Sequence, residues 1–406
     1  MCALPLLEPR DGVPPVVASP DALARTVAAF AAGTGPVAVD AERASGYRYG
    51  QQAYLVQIRR AGAGTALIDP VGCPDLSTLG SIISNEEWIL HAANQDLPCL
   101  AGVGLVPRLI FDTELAGRLA GYERVGLGAI VEELLGFTLE KGHSASDWSQ
   151  RPLPAAWLVY AALDVEVLVE LRDALAAELE RQGKLGWARE EFAAIVAAPP
   201  APSRVDPWRR TSGIHRLRTR RQLAALRGVW ELRENMARDR DLAPGRLLSD
   251  TALIAAVLQA PASVDALTAL PVWGGRATRR LAGQFFAALR SAGELPEPSL
   301  PTVNLAVDGP PPTSRWAEKD PAAAARLTRA RAAVAALAAE HRMPAENLLA
   351  PDLVRRLAWE PPGLHTEDAV GAVLRAGRAR DWQVRLTAAA LAAVLDPPPE
   401  MDDPLG

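Results

Sequence analysis

Val37-Ala38-Val39-Asp40-Ala41-Glu42 reads as a buried β-strand that ends in two carboxylates. Side chains two apart on a strand share a face, so Asp40 and Glu42 aim together. Like charges side by side are costly unless a cation sits between them. Holding such a cation requires further acids from elsewhere in the chain.

Two later stretches offer them. The apolar run Trp88-Ile89-Leu90-His91 is a second strand, and Ala92-Ala93-Asn94-Gln95-Asp96-Leu97 follows it. Asn94 is expected to cap a helix there, with Asp96 in its first turn. Further on, Trp157-Leu158-Val159-Tyr160-Ala161-Ala162-Leu163-Asp164 has helical periodicity. Tyr160 and Asp164, at i and i+4, share one helix face. Four carboxylates on separate apolar elements, with one phenol, suit two hard divalent cations. Such ions take oxygen ligands and lie about 3.5–4 Å apart in phosphoryl-transfer sites.

Asp40-Ala41-Glu42, Asn94-Gln95-Asp96 and the pair Tyr160…Asp164 resemble, in order, the three exonuclease motifs of the DEDD superfamily. His143-Ser144-Ala145-Ser146-Asp147-Trp148 and Arg151-Pro152-Leu153 make the intervening text similar to the ribonuclease D family, over residues 15–200 and more loosely to 395. The resemblance implies a ribonuclease H-like mixed sheet with flanking helices and a 3′→5′ exoribonuclease. Asp40, Glu42, Asp96 and Asp164 would hold two Mg²⁺ or Mn²⁺, nucleoside 5′-monophosphates would leave RNA 3′ ends, and tRNA precursors would be the substrates. Tyr160 would orient the attacking water, since a phenol with a pKa near 10 is a poor base at neutral pH. The superfamily's histidine variant carries its histidine five residues before the last acid, where this chain has Val159. Arg43 departs from the pattern, because many relatives have an apolar or aromatic residue there.

The bland reading of each acid stands beside this one: a solvated strand end paired with Arg43 or Arg48, and a first-turn acid at a helix dipole. Lys141, His143, Trp148 and Arg151 are candidate contacts to phosphate or a terminal base, or equally parts of a structured loop. His91 is expected in the core. Two rival functions share the sequence: a DNA-directed 3′→5′ exonuclease with the same cation site, and a catalytically idle RNA-binding scaffold.

Length and composition set the frame. With 406 residues, 49% hydrophobic, the chain has room for several domains. No apolar run reaches the ~20 residues of a membrane span, and the start lacks a basic region followed by an apolar stretch, so no signal peptide is expected. Cys2, Cys73 and Cys99 show neither metal spacing nor pairing, which suits a reducing cytoplasm. Net charge is only −5, but residues 204–246 hold twelve arginines against five acids. The helix expected over 216–240, with Trp230 on it, either follows an RNA backbone or presents a solvated face with pairs such as Glu234–Arg238.

Early strands joined by short turns, then strands alternating with helices, predict a mixed sheet with helices on both faces over 15–200. Residues 1–15 look loose, 138–153 turn-rich, and a long helix is expected over 154–182. A Pro-rich linker at 197–208 precedes purely helical text, which a second linker at 292–314 divides into bundles at 209–292 and 314–395. Leu242-Ala243-Pro244 before Leu247-Leu248 repeats as Met343-Pro344 before Leu348-Leu349. The first bundle resembles the helicase-and-RNase-D C-terminal (HRDC) module and the second a diverged copy. The tail after Asp396 is expected to be disordered.

Overall fold

The computed structural model describes residues 3–139, 142–143, 145–200, 202, 204–303 and 309–396. The tail expectation from Pro397 onward lies outside them. The strands are β1 (Leu4–Leu6), β2 (Val16–Val17), β3 (Thr34–Arg43), β4 (Ala53–Ala61), β5 (Gly64–Ile68), β6 (Glu87–Leu90), β7 (Leu109–Asp112) and β8 (Phe137–Leu139). Six of them form one sheet in the order β2-β5-β4-β3-β6-β7. β3, β4 and β5 run antiparallel, joined by short connections; β6 and β7 join parallel. The β4–β5 turn uses Gly62 and Gly64 at φ +82° and +77°, which side chains with a Cβ rarely adopt. The mixed sheet is as expected. Residues 1–15 are not uniformly loose: β1 pairs with β8, which runs into the start of the segment read as turns.

Helices α1 (Pro20–Ala32), α2 (Ser77–Ile83), α3 (Leu97–Ala101), α4 (Thr113–Ala120), α5 (Leu127–Leu135), α6 (Ala155–Glu166), α7 (Leu168–Arg181) and α8 (Leu185–Ala197) cover the sheet. Ser19 caps α1 with Pro20 at its first position. The expected single helix over 154–182 breaks at Val167, where ψ opens to −3°. The break lets α6 lie against β3, β4 and β5 while α7 turns to pack on α4. Helix α8 has no counterpart among the expectations.

The helical half begins with α9 (Arg220–Asp239), α10 (Pro244–Leu247), α11 (Asp250–Gln259), α12 (Val264–Thr268) and α13 (Arg276–Gly293), around a core of their own that includes Trp208, Trp273 and Phe285. Then come α14 (Trp316–Lys319), α15 (Pro321–Glu340), α16 (Ala345–Leu348), α17 (Pro351–Trp359), α18 (Glu367–Ala376) and α19 (Asp381–Leu395). The repeat read in the sequence is a repeat of backbone. Asp241 and Arg342 both stand two residues past a 20-residue helix at positive φ, +46° and +48°. Leu248 and Leu349 are both extended and buried after the short helix that follows.

The arginine-rich segment is largely spent inside the protein. Arg209, Arg220, Arg221 and Arg227 donate to backbone carbonyls between residues 293 and 302, strapping the second linker to α9. Arg238 reaches Asn235 and Tyr49 rather than Glu234.

The last bundle has no separate core: its buried residues run continuously into those of the sheet domain. Trp187 of α8 stacks on Trp382 of α19 with centroids 5.1 Å apart and planes 9° apart. Glu191 accepts the Trp382 indole N–H at 3.0 Å, and Glu190 accepts its backbone N–H at 3.1 Å. Trp382→Ala is expected to cost about 3–5 kcal/mol, as truncation of a fully buried tryptophan does. Because the core is shared, calorimetry should show the sheet domain and last bundle melting together, earlier than in wild type; a bundle transition moving alone would contradict the shared core.

Candidate active site

Strand β3 is central, and Val37, Ala38 and Val39 are fully buried. The strand carries Asp40 and Glu42 on one face, opposite Gln57 and Leu55 of β4. Helix α6 crosses that face and brings Asp164 down onto it. Asp40, Glu42 and Asp164 each offer a carboxylate oxygen within 4.8 Å of the others. They line a cleft of about 750 Å³ together with Arg43, His91, Asp96 and Tyr160. All five residues read as the reacting centre therefore face one space.

Asp96 arrives differently from the expectation. Asn94 caps nothing: it lies in a short 3₁₀ turn, and Asp96 itself stands at the start of α3 without capping it. The turn is held from below by Asp112, whose carboxylate accepts the backbone N–H groups of Ala92, Ala93, Glu114 and Leu115. One acid thus caps α4 and fixes the left-handed Ala92 that aims Asp96 at the cleft. Asp96 stays outside the close trio, and Arg43 Nη2 stands 3.5 Å from its carboxylate. The residue that departs from the resemblance is a built-in positive charge beside one of the acids.

Crowded, desolvated carboxylates resist ionisation. Burial pushes Asp40 up to about 6. Burial, with Asp40 nearby, takes Asp96 to about 8. Burial with Asp40, Asp164 and Asp96 around it takes Glu42 to about 10, and Asp164 is likewise held well above the usual range. Tyr160 hydrogen-bonds Asp164, and burial beside the acids raises its phenol, so it remains an O–H donor. The donor set is oxygen only. These acids can ionise together only when positive charge joins them, which is the chemistry of a hard divalent cation.

The softer expectations divide. His143 sits edge-on to Tyr160, ring centroids 5.8 Å apart, at the cleft's flank. Trp148 is no substrate platform: it is fully buried against Trp157, its indole N–H given to the His143 carbonyl. Arg151 is likewise unavailable, gripping Asp69 through two hydrogen bonds and donating to the carbonyls of Tyr54, Trp148 and Gln150. Lys141 lies outside the described residues. His91 lines the cleft instead of the core, neutral because burial lowers it to about 4, with Nδ1 2.9 Å from the Thr113 hydroxyl. Gln57 was not foreseen. It is fully buried across from Asp40, and neither polar atom of its amide is hydrogen-bonded. Its signal was a lone polar residue inside the apolar run Ala53–Ile58.

Comparison with known proteins agrees with this geometry. Residues 15–180 match the family described as 3′-5′ exonuclease, residues 222–289 the HRDC domain, and residues 309–395 a 3′ to 5′ exonuclease C-terminal domain. Ribonuclease D of Gluconacetobacter diazotrophicus is 33% identical over 335 residues, covering 80% of this chain and 81% of that protein. The chain belongs to the ribonuclease D family. Ribonuclease D of Escherichia coli is 34% identical over 71% of this chain and 78% of its own length. Its crystal structure, described as an exoribonuclease involved in structured RNA processing, superposes with a TM-score of 0.68 at 28% identity, covering 94% of this chain and 98% of that one. A protein from Bifidobacterium adolescentis superposes at 0.89, with 35% identity over 97% of this chain and 99% of the other. The molecule is a ribonuclease D-like 3′→5′ exoribonuclease of the DEDD type. No helix among its described residues is long and apolar enough to cross a membrane.

Two outcomes follow from the charge arrangement. The folded, cation-free ribonuclease D site binds protons that the unfolded chain has released by about pH 5, so its stability falls as pH rises through about 6 and 8. A cation removes that loss. The rise in melting temperature on adding Mn²⁺ should therefore grow between about pH 5 and pH 8.5; a pH-independent rise would contradict the crowding. Arg43→Gln, which deletes a competing cation, should tighten Mn²⁺ binding on the order of tenfold in calorimetric titration. Equal or weaker binding would mean that Arg43 does not compete.

Proposed function

We propose that Asp40, Glu42, Asp96 and Asp164 hold two divalent cations, Mg²⁺ or Mn²⁺, and that the protein removes nucleoside 5′-monophosphates one at a time from RNA 3′ ends. The convergence of three carboxylates from β3 and α6 within 4.8 Å carries this reading. Bound there, such ions lower the pKa of water and stabilise negative charge on a leaving 3′ oxygen. Tyr160, kept protonated by its buried position and donating to Asp164, orients the attacking water through its phenol oxygen. Neutral His91 adds no charge to the wall it lines. His143, at the flank, fits a contact to the terminal nucleotide.

Precursor tRNA ends are the physiological substrates we favour, on the family membership and on the description of the Escherichia coli relative. The division we favour is an exonuclease domain at 15–200, an HRDC bundle at 209–292 and a second, diverged bundle at 314–395. Residues 222–289 and 309–395 fall in separate family matches, and α9–α11 and α15–α17 share a backbone course. A cytoplasmic setting fits the free, buried Cys73 and Cys99.

Asp164→Asn keeps the helix and removes an anionic ligand. It should lower turnover of a 3′-tailed RNA by at least about 10³-fold and weaken Mn²⁺ binding. Tyr160→Phe should lower kcat about 10–100-fold while leaving Mn²⁺ affinity intact. Full metal-dependent activity in Asp164→Asn would refute the site. Mononucleotide release from matched RNA and DNA oligonucleotides, followed by chromatography, settles product and sugar preference; faster release from DNA would favour the deoxyribonuclease alternative.

A further inference from the structure

The loop between β3 and β4 leaves the site directly. Glu42 and Arg43 end the strand, and Ser45 and Gly46 line the cleft. The next three residues lie between two hydrophobic cores. Tyr47 packs on the cluster that includes Trp148 and Ala161, under α6. Tyr49 packs on the core of the first helical bundle, and among the described residues it is the one member of the first 200 to do so.

The bundle grips this loop with the junction between α9 and α10. The backbone N–H of Ala243 donates to the Tyr47 carbonyl at 2.9 Å. Arg246 Nε donates to the Gly46 carbonyl at 2.8 Å, and its guanidinium lies 3.9 Å from the Tyr47 ring centroid. Asp241 accepts the Tyr49 backbone N–H at 3.3 Å and faces Arg48 at 3.6 Å. Arg238 donates to the Tyr49 hydroxyl at 3.0 Å and lies 5.2 Å from its ring centroid. Arg48 Nε in turn donates to Ser149 Oγ at 2.8 Å, joining the loop to the segment that forms the cleft's far rim at Ala145 and Ser146. Among the described residues, every hydrogen bond and ion pair between this bundle and the sheet domain falls on Gly46–Tyr49. The last bundle, by contrast, joins the sheet domain through a shared core.

We propose that the first helical bundle shapes the nuclease cleft through this loop, with Asp241 and Arg246 as positioning residues for exonuclease action on even the shortest RNA. The argument is one of leverage. A loop that is glycine-bearing and half-exposed would cost ordering free energy whenever an RNA 3′ end entered beside it. The bundle holds it ordered in advance, at the carbonyls of Gly46 and Tyr47. Asp241 has the geometry to do so because the chain takes a left-handed turn there, exposing its carboxylate between the helix ends.

The inference rests on the cleft being the exonuclease site, and hydrogen exchange of residues 44–52 reads the loop independently of that assignment. The decisive substrate is an RNA trimer, which offers the bundle far less chain to touch than a long RNA does. In the full-length protein, Asp241→Ala and Arg246→Ala should each raise KM for the trimer about fivefold, with kcat changed less than about twofold. Exchange of the 44–52 amides should quicken about tenfold, with that of Val37–Val39 unchanged. The double variant should be little worse than either single one, because both hold the same loop. Arg246→Lys, which keeps the charge over Tyr47, should recover part of the loss and guards against a folding defect in the alanine forms. Unchanged trimer kinetics and unchanged exchange at 44–52 would overturn the proposal. So would a defect confined to long RNA, which would make these residues a remote RNA contact.

Discussion

Everything in this molecule is subordinate to keeping three like-charged groups closer together than water would allow. A carboxylate pair on one strand face is unstable as two anions, and a third from a crossing helix makes it worse. Such a cluster persists only where neighbouring structure over-determines it. Here the strand that bears two of the acids lies in the middle of the sheet, with fully buried residues before them. Helix α6 is pinned across β3, β4 and β5. Neither element can retreat to relieve the repulsion, and the strain is left for cations to resolve.

The supporting parts divide the work. Asp112 contributes through four backbone hydrogen bonds, tying one turn to another. Asp69 and Arg151 lock the segment under the far rim by a paired-donor grip that neither residue could make alone. Arg43 tempers the charge beside Asp96. Arg151, which the sequence offered as a substrate contact, is thus consumed by the scaffold of the site.

That division explains what was legible beforehand. Asp40, Glu42, Tyr160 and Asp164 could be placed because strand and helix periods are local, so spacing alone fixes which side chains share a face. The mixed sheet followed from turn spacing for the same reason. Asp96 was placed in the right cleft for the wrong local reason, since its support comes from Asp112, sixteen residues on and in another element. For Trp148 and Arg151 the sequence left substrate contact and loop packing equally open, because their partners, Trp157, Tyr54 and Asp69, become neighbours only when the sheet forms. For the arginines of α9 the sequence left a polyanion and a solvated face open; Arg220, Arg221 and Arg227 donate instead to carbonyls of a proline-rich linker seventy or more residues away. Local chemistry reads well from text, and long-range satisfaction of donors does not.

The stacked Trp187 and Trp382 have an implication for how the chain is made. The two are separated by nearly two hundred residues, so the face of α8 that receives Trp382 stays bare until α19 has left the ribosome. Synthesis that stops short of α19 would release a product with an open apolar seam beside a formed sheet, the kind of surface that chaperones and proteases engage. Completion of α19 thus doubles as a seal of manufacture: a product cut short before it marks itself for removal.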